Sequence, residues 1–328
     1  MAKLSLVITH HNEPIELGKN LFHSINTQMG IDWDNVDIIV CDNTGLHFSY
    51  SDILDDCLNI KNKITFLNNP LCEGPGLNKQ QGIDYCKTEW LTFLEFDDML
   101  YSVTALYNIF NYIEFYSDYD VLQFQHIRST DIKYDEFVAR NGYGGAWGTV
   151  QKKSFFVDNN IRNLNLKMDN DIYINKLGRC VKNKKVEFIE VPIYVWCIRE
   201  NSTSTIKLSE DSDFEQNYKD KIESSLLIIQ LVHNYCSQYP DSTEFDYETE
   251  LWIELPYLYW KTQMYKETAQ NNINKQLIEE KNQQIASLYL SIIDKQWILE
   301  HLFRSDEYMT IYDKTFKEWL IDIFNLKD

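Results

Sequence analysis

Three carboxylates in four positions, Glu95, Asp97 and Asp98, close the apolar run Trp90-Leu91-Thr92-Phe93-Leu94. The run has the length and composition of a buried strand. Side chains alternate along an extended chain, so Glu95 and Asp97 project to the same side. A buried strand that ends in clustered negative charge holds a cation, or else suffers repulsion and desolvation. Hard oxygen ligands of this kind suit Mg2+ or Mn2+, ions that often bridge a carboxylate to a phosphate. The competing reading is a solvated strand end whose acids cap the next helix.

A second acid stands at an equivalent place. Val36 to Cys41 is an apolar run that stops at Asp42-Asn43-Thr44-Gly45. Before it, Leu4 to Thr9 reads as a first strand ending at His10-His11-Asn12-Glu13-Pro14. Pro14 suits a helix start, and Leu17, Leu21, Phe22 and Ile25 then recur at helical spacing. Adjacent histidines at a turn diverge, so they line a ligand cleft or the surface rather than share a metal. Ile64 to Leu67 is a short third strand, a turn-rich loop follows through Gly76, and Leu77 to Cys86 forms a helix before strand 90 to 94. This alternation implies a parallel-type α/β sheet. Ligands of such sheets sit beyond the carboxyl ends of the strands, where both sets of acids lie.

Further along, residues 103 to 117 are predicted helical and Asp120 to Gln125 a strand. The glycine-rich window Asn141 to Gly148 is not G-x-G-x-x-G between a strand and a helix, which excludes a dinucleotide fingerprint. Its glycines either admit a substrate close to the backbone or make a tight turn. A short helix is expected over Ser154 to Asn159, and another over Ile172 to Leu177 behind Met168-Asp169-Asn170-Asp171. Acids in such a position also serve as ordinary helix caps. Val186 to Val191 reads as a strand stopped by Pro192, and a further strand starts at Tyr194 and turns into a polar loop through Ser204. Beyond about residue 205 the periodicity is helical, with an aromatic segment at Leu251 to Trp260 whose first explanation is core packing.

Composition narrows the function. The formal net charge of −19 and the absence of a long basic run disfavour nucleic-acid binding and simple attachment to anionic lipid. Seven scattered cysteines, with no C-x-x-C spacing, argue for reduced thiols in a cytoplasmic protein. No window approaches the roughly 18 apolar residues of a membrane-spanning helix, and Met1 to Thr9 lacks the long apolar stretch expected of a signal peptide.

Taken in order, strand-Thr9-His10-His11-Asn12-Glu13, strand-Asp42-Asn43, Asn68 to Gly82, Leu94-Glu95-Phe96-Asp97-Asp98, Ala146-Trp147-Gly148 and Asn170-Asp171 resemble the family 2 glycosyltransferases of the GT-A fold. The resemblance covers roughly residues 3 to 205. It implies an α/β fold with a mostly parallel, Rossmann-like sheet flanked by helices over residues 1–205. Residues 206–328, which the resemblance does not cover, are expected from their helical periodicity to form an extension for acceptor docking, oligomerisation or core completion. The resemblance also implies a nucleotide-sugar donor, most often a UDP-sugar, and a Mn2+ or Mg2+ cofactor. The acceptor is a glycan, a lipid-linked sugar or another hydroxyl-bearing molecule, and transfer proceeds with inversion. Thr9, His11, Glu13, Asp42, Asn78, Glu95, Trp147, Arg199 and Ser202 fall on the donor side, with Asp42 at the position that commonly pairs with uracil. Asp97 is the implied metal ligand, with Asp98 as alternative or helper, and Asp171 the implied base, with Asp169 beside it. Glu95 departs from the family's usual D-x-D, and Asn170 from its usual Glu-Asp. A nucleotidyltransferase, or a non-catalytic nucleotide-sugar binder, are the alternatives.

Overall fold

The computed structural model describes residues 3–11, 13–43, 50–68, 75–130, 133–138, 148–166, 170–198, 214–247, 272–304 and 314–326, with a few positions between 254 and 263. The chain forms two compact units, Met1–Lys207 and Leu208–Asp328.

The first unit is built on one sheet of nine strands among the described residues. They are β1 (Leu4–His10), β2 (Val36–Asp42), β3 (Ile64–Asn68), β4 (Trp90–Glu95), β5 (Met99–Leu100), β6 (Val121–Thr130), β7 (Lys133–Val138), β8 (Thr149–Lys152) and β9 (Val186–Ile198). Their order is β3-β2-β1-β4-β8-β6-β9-β5, with β7 paired to β6. The four strands β3, β2, β1 and β4 run parallel, as do β6 and β9. β8 is antiparallel to both β4 and β6, and β5 and β7 are antiparallel to their partners.

β1 is buried along its whole length, as expected of a central strand covered on both faces. Leu4, Leu6 and Ile8 join the core that contains Leu21, Phe22 and Ile25 of α1 (Gly18–Asn26). On the other face α3 (Pro75–Tyr85) presses so close that a Cβ on Gly82 would lie 2.3 Å from Val7 Cγ1. Around these lie α2 (Ser51–Leu54), α4 (Ala105–Phe115), α5 (Lys153–Asp158) and α6 (Asn170–Cys180).

Pro192 does not end a strand. β9 continues through it to Ile198, and the β6–β9 register shifts on both sides of Gln125, the residue opposite Pro192. A residue without an N–H is tolerated in a sheet at such an irregularity.

The second unit contains α7 (Phe214–Gln238), α8 (Asn272–Ile292), α9 (Lys295–Arg304) and α10 (Lys314–Ile323). Ile222, Ile229, Val232, Ile278, Ile285, Tyr289, Phe316 and Leu320 are buried. Within α8, Lys281 Nζ reaches Glu223 Oε1 at 2.6 Å. Most of the aromatic segment 251–260 lies outside the described residues, but Tyr259 packs on Phe316 and Trp319. Among the described residues no helix is long and apolar enough to cross a membrane.

Candidate active site

Strand register brings the distant acids together. In the parallel ladder His10 lies opposite Asp42, and Thr9 lies opposite Glu95. β1 therefore sets the ends of β2 and β4 level on one edge of the sheet. Backbone bonds extend the match past the strands, from Asn43 N–H to the His10 carbonyl at 3.3 Å and from Phe96 N–H to the Thr9 carbonyl at 3.2 Å.

The acid turn is tight, with Asp98 N–H donating to the Glu95 carbonyl at 3.1 Å. Phe96, between the two acids, turns into the core. Its ring stacks on His10 with centroids 3.9 Å apart and 20° between the planes. A Cβ on Gly18 would fall 2.2 Å from Phe96 Cζ, so the start of α1 leaves space for that ring. One ligand oxygen each from Glu95, Asp97 and Asp98 lie within 4.8 Å of one another. This is a compact, all-oxygen donor set that fits a hard divalent cation.

The three acids differ in surroundings. Asp98 is 1% exposed. Its Oδ2 accepts the Tyr194 hydroxyl at 2.5 Å, and its Oδ1 accepts the Cys197 backbone N–H at 2.8 Å. Tyr194 Oη also accepts the Glu95 backbone N–H at 3.2 Å, so one phenol fastens both ends of the turn to β9. Glu95 Oε1 lies 3.5 Å from Nζ of Lys79, a nearly buried lysine of α3. Loss of hydration raises the Glu95 carboxyl above its ordinary value; Lys79 opposes this, and the charges of Asp97 and Asp171 add to it. Asp98 is pushed up further, first by burial and then by Glu95 and Asp97. Bound cations relieve this kind of strain between like charges.

At the end of β2 the polar groups form a chain. His10, fully buried, places Nε2 2.8 Å from the Glu13 carbonyl and Nδ1 2.9 Å from Tyr50 Oη. The Tyr50 hydroxyl donates to Asp42 Oδ2 at 2.9 Å, while Asp42 Oδ1 is 3.7 Å from His10 Nδ1. Burial holds the His10 imidazole below its usual value and the Tyr50 phenol far above its own. His11 turns the other way, as expected of adjacent side chains. Its N–H donates to Glu13 Oε2 at 2.6 Å, and its Nδ1 meets Asn43 Oδ1 at 2.7 Å. Asn78 is fully buried beneath this turn and donates to the His10 carbonyl at 3.2 Å.

Asp171 lies in the first turn of α6, and its charge bears on Glu95. Thr9, His11, Glu13, Asp42, Glu95, Asp97, Asp98 and Asp171 are thus all described, and the edge of the sheet gathers the first seven. Trp147, Asp169, Arg199 and Ser202 lie outside the described residues. His10 is a correction: it is not a cleft-lining or surface residue but the last residue of β1, buried against Phe96. Tyr50, Lys79 and Tyr194 were not singled out from sequence. The only signal for Tyr194 was its place in an apolar run, which says nothing of a hydroxyl paired 96 residues away.

Comparison with known proteins agrees with this architecture. No curated protein matches the chain. Among solved structures, S. aureus TarS 1-349 shares 13% identity at a TM-score of 0.62, over 98% of this chain and 89% of that one. The same TarS fragment in complex with UDP-GlcNAc gives 14% identity and a TM-score of 0.64 over the same shares. A longer TarS structure, of which 54% is covered, gives 0.59 at 14% identity. At such identities the likeness is one of fold. The sequence profile described as Glycosyl transferase family 2 matches residues 5–195 of the 328, from β1 into β9, and spans every acid of the sheet edge. With the parallel sheet and its acid-bearing strand ends in view, that match makes the chain a member of glycosyl transferase family 2, a glycosyltransferase of the GT-A fold.

Proposed function

We infer that the chain transfers a sugar from a UDP-sugar to an acceptor hydroxyl, inverting the anomeric carbon, with Mn2+ or Mg2+ on Asp97. The observation that carries this reading is the shared edge: Asp42 and the acid turn end the two parallel strands that flank β1, and the charge of Asp171 reaches Glu95. The UDP-GlcNAc complex of the similarly folded TarS supports the choice of nucleotide.

Asp42 accepts the N–H of the base. Thr9, His11 and Glu13 shape that side of the pocket, and Asn78 holds the strand end from beneath. When bound, the cation offsets the charge of the departing diphosphate. Asp97 holds it, with Glu95 adjacent. Asp98 chiefly shapes the turn, since each of its oxygens already accepts a bond, although a carboxylate oxygen keeps a second lone pair for a metal. Arg199 and Ser202 serve the diphosphate and Trp147 the donor. Asp171 removes the acceptor proton as attack proceeds. The second unit docks the acceptor or a second copy of the chain.

The test is a screen of nucleotide sugars for release of free nucleotide. Release from a UDP-sugar in Mn2+, abolished by EDTA, is the expected result. No release from any nucleotide sugar in either condition would remove the reading.

A further inference from the structure

We propose that Lys79 is a resident counter-ion of the acid turn, one that competes with the metal for Glu95 and so keeps the metal weakly held and exchangeable. The inference rests on the reading of the acid turn as the metal site.

The packing of α3 places the lysine. In the β1–β4 ladder Val7 lies opposite Phe93 and Thr9 opposite Glu95. Alternation puts these residues on one face of the sheet, the face on which Gly82 of α3 meets Val7. Lys79 stands three residues before Gly82, on the same side of the helix. Its ammonium group therefore reaches the underside of β4. There Nζ lies 3.5 Å from Glu95 Oε1 and 6.0 Å from the centre of the Phe93 ring. The helix has no room to settle closer, because a Cβ on Gly82 would also fall 3.3 Å from Cys41 Sγ of β2.

Burial separates the two members of the pair. The Lys79 side chain is 5% exposed and that of Glu95 36%. The lysine is enclosed beneath the strand, whereas the carboxylate opens outward and contributes an oxygen to the donor set with Asp97 and Asp98. Glu95 is thus shared between a cation that the fold supplies and the donor set for a cation from solution.

Lys79 acts on that second cation in two ways of the same sign. It engages part of the negative charge that Glu95 offers, and its own charge repels a divalent ion at the turn. Buried charge is also screened less by salt than exposed charge. Divalent ions at phosphate sites are commonly held by one or two carboxylates and completed by substrate phosphates, and a turn engaged from beneath suits that arrangement. A lysine that only braced Glu95 would act in the opposite direction, since its loss would loosen a ligand and weaken the metal.

Mn2+ is titrated into wild type, Lys79→Met and Lys79→Arg, with and without UDP, and unbound Mn2+ is read by its paramagnetic resonance. Melting temperatures are taken with and without Mn2+. Lys79→Met keeps the length of the side chain and removes the charge, and Lys79→Arg keeps the charge. Without UDP, Lys79→Met is expected to bind Mn2+ about tenfold more tightly than wild type, the direction and scale of removing one nearby positive charge. It should also gain more melting temperature than wild type when Mn2+ is added, while Lys79→Arg keeps the wild-type affinity. A folded Lys79→Met with unchanged or weaker Mn2+ affinity overturns the proposal and leaves the metal reading in place. So does a Lys79→Arg that gains affinity as Lys79→Met does. A Lys79→Met that is unfolded without metal and folds in Mn2+ supports the proposal, because the ion then replaces the lost charge. One that stays unfolded in Mn2+ makes Lys79 a residue of the fold and overturns it. A wild type that binds no Mn2+ with or without UDP removes the metal reading, and the proposal with it.

Discussion

Asp98 and Tyr194 face each other across 96 residues of sequence, hydroxyl to carboxylate at 2.5 Å. The same phenol oxygen accepts the Glu95 N–H, and the other Asp98 oxygen accepts the Cys197 N–H. The acid turn therefore takes its shape from β9 as well as from β4. Tyr194→Phe leaves a buried carboxylate oxygen and a backbone N–H without this partner. We expect a loss of ~1–3 kcal/mol in unfolding free energy, the usual cost of an unsatisfied buried polar group. Denaturant unfolding measures it, and a variant as stable as wild type would refute the clamp.

Removal of the metal should be mimicked by removal of Asp97. UDP is titrated into wild type with Mn2+ and again with EDTA, and into Asp97→Ala with Mn2+. The variant in Mn2+ should bind as weakly as wild type in EDTA. Equal affinity of wild type in the two conditions removes the metal from the donor site.

Asp171→Asn keeps size and loses the proton-accepting charge. Transfer should fall by ~10²–10⁴-fold, the weight of a general base, while UDP affinity and melting temperature stay near wild type. Asp169→Asn can still cap a helix and should stay active. An active Asp171→Asn beside a folded but inactive Asp169→Asn would reverse the assignment.

The crowded acids give stability a pH signature. Glu95 and Asp98 both titrate above their unfolded values of about 4. A carboxyl raised in this way binds more protons folded than unfolded. Its stabilisation is complete below about pH 4 and is lost as pH rises through the raised folded value. His10 acts in the opposite sense, because its value is lowered: its contribution is present above about pH 6.5 and is lost as pH falls. The difference between wild type and Asp98→Asn isolates the acid. Without metal, wild type should lose melting temperature relative to Asp98→Asn as pH rises from about 5 to 8. Mn2+ should restore most at the upper end. Parallel melting curves at every pH would rule out the raised Asp98 carboxyl.

Much of the sheet edge was legible because strand ends carry local signals. The apolar runs before Asp42 and Glu95 gave β2 and β4 nearly to the residue, and alternation told that Glu95 and Asp97 share a side. β8, four residues long, and β5, two residues long, lack the length for a periodic signal and exist through their partners. Pro192 misled because its missing N–H is a local rule, and the bulge that accommodates it is set by β6. His10 misled for a related reason. A histidine beside another polar residue reads as loop, whereas the stacked Phe96 ring and the Glu13 carbonyl supply the partners that let it sit inside. Lys79 meets Glu95 through the packing of α3 on the sheet, which neither segment records alone.

Phe96 gives the acid turn a thermodynamic depth that its place at a strand end would not suggest. Its ring belongs to the main core, its neighbour His10 is fully buried, and the Gly18 backbone sits where any side chain would collide with it. Glu95 and Asp97 cannot then fray as an exposed loop does, because moving them apart would extract an aromatic ring from the protein interior. The amide of Phe96, bonded to the Thr9 carbonyl, should exchange with solvent only in the rarest openings, close to those of global unfolding. A substituent at residue 18 would be felt as lost cooperativity of the whole sheet before it was felt as a rearranged site.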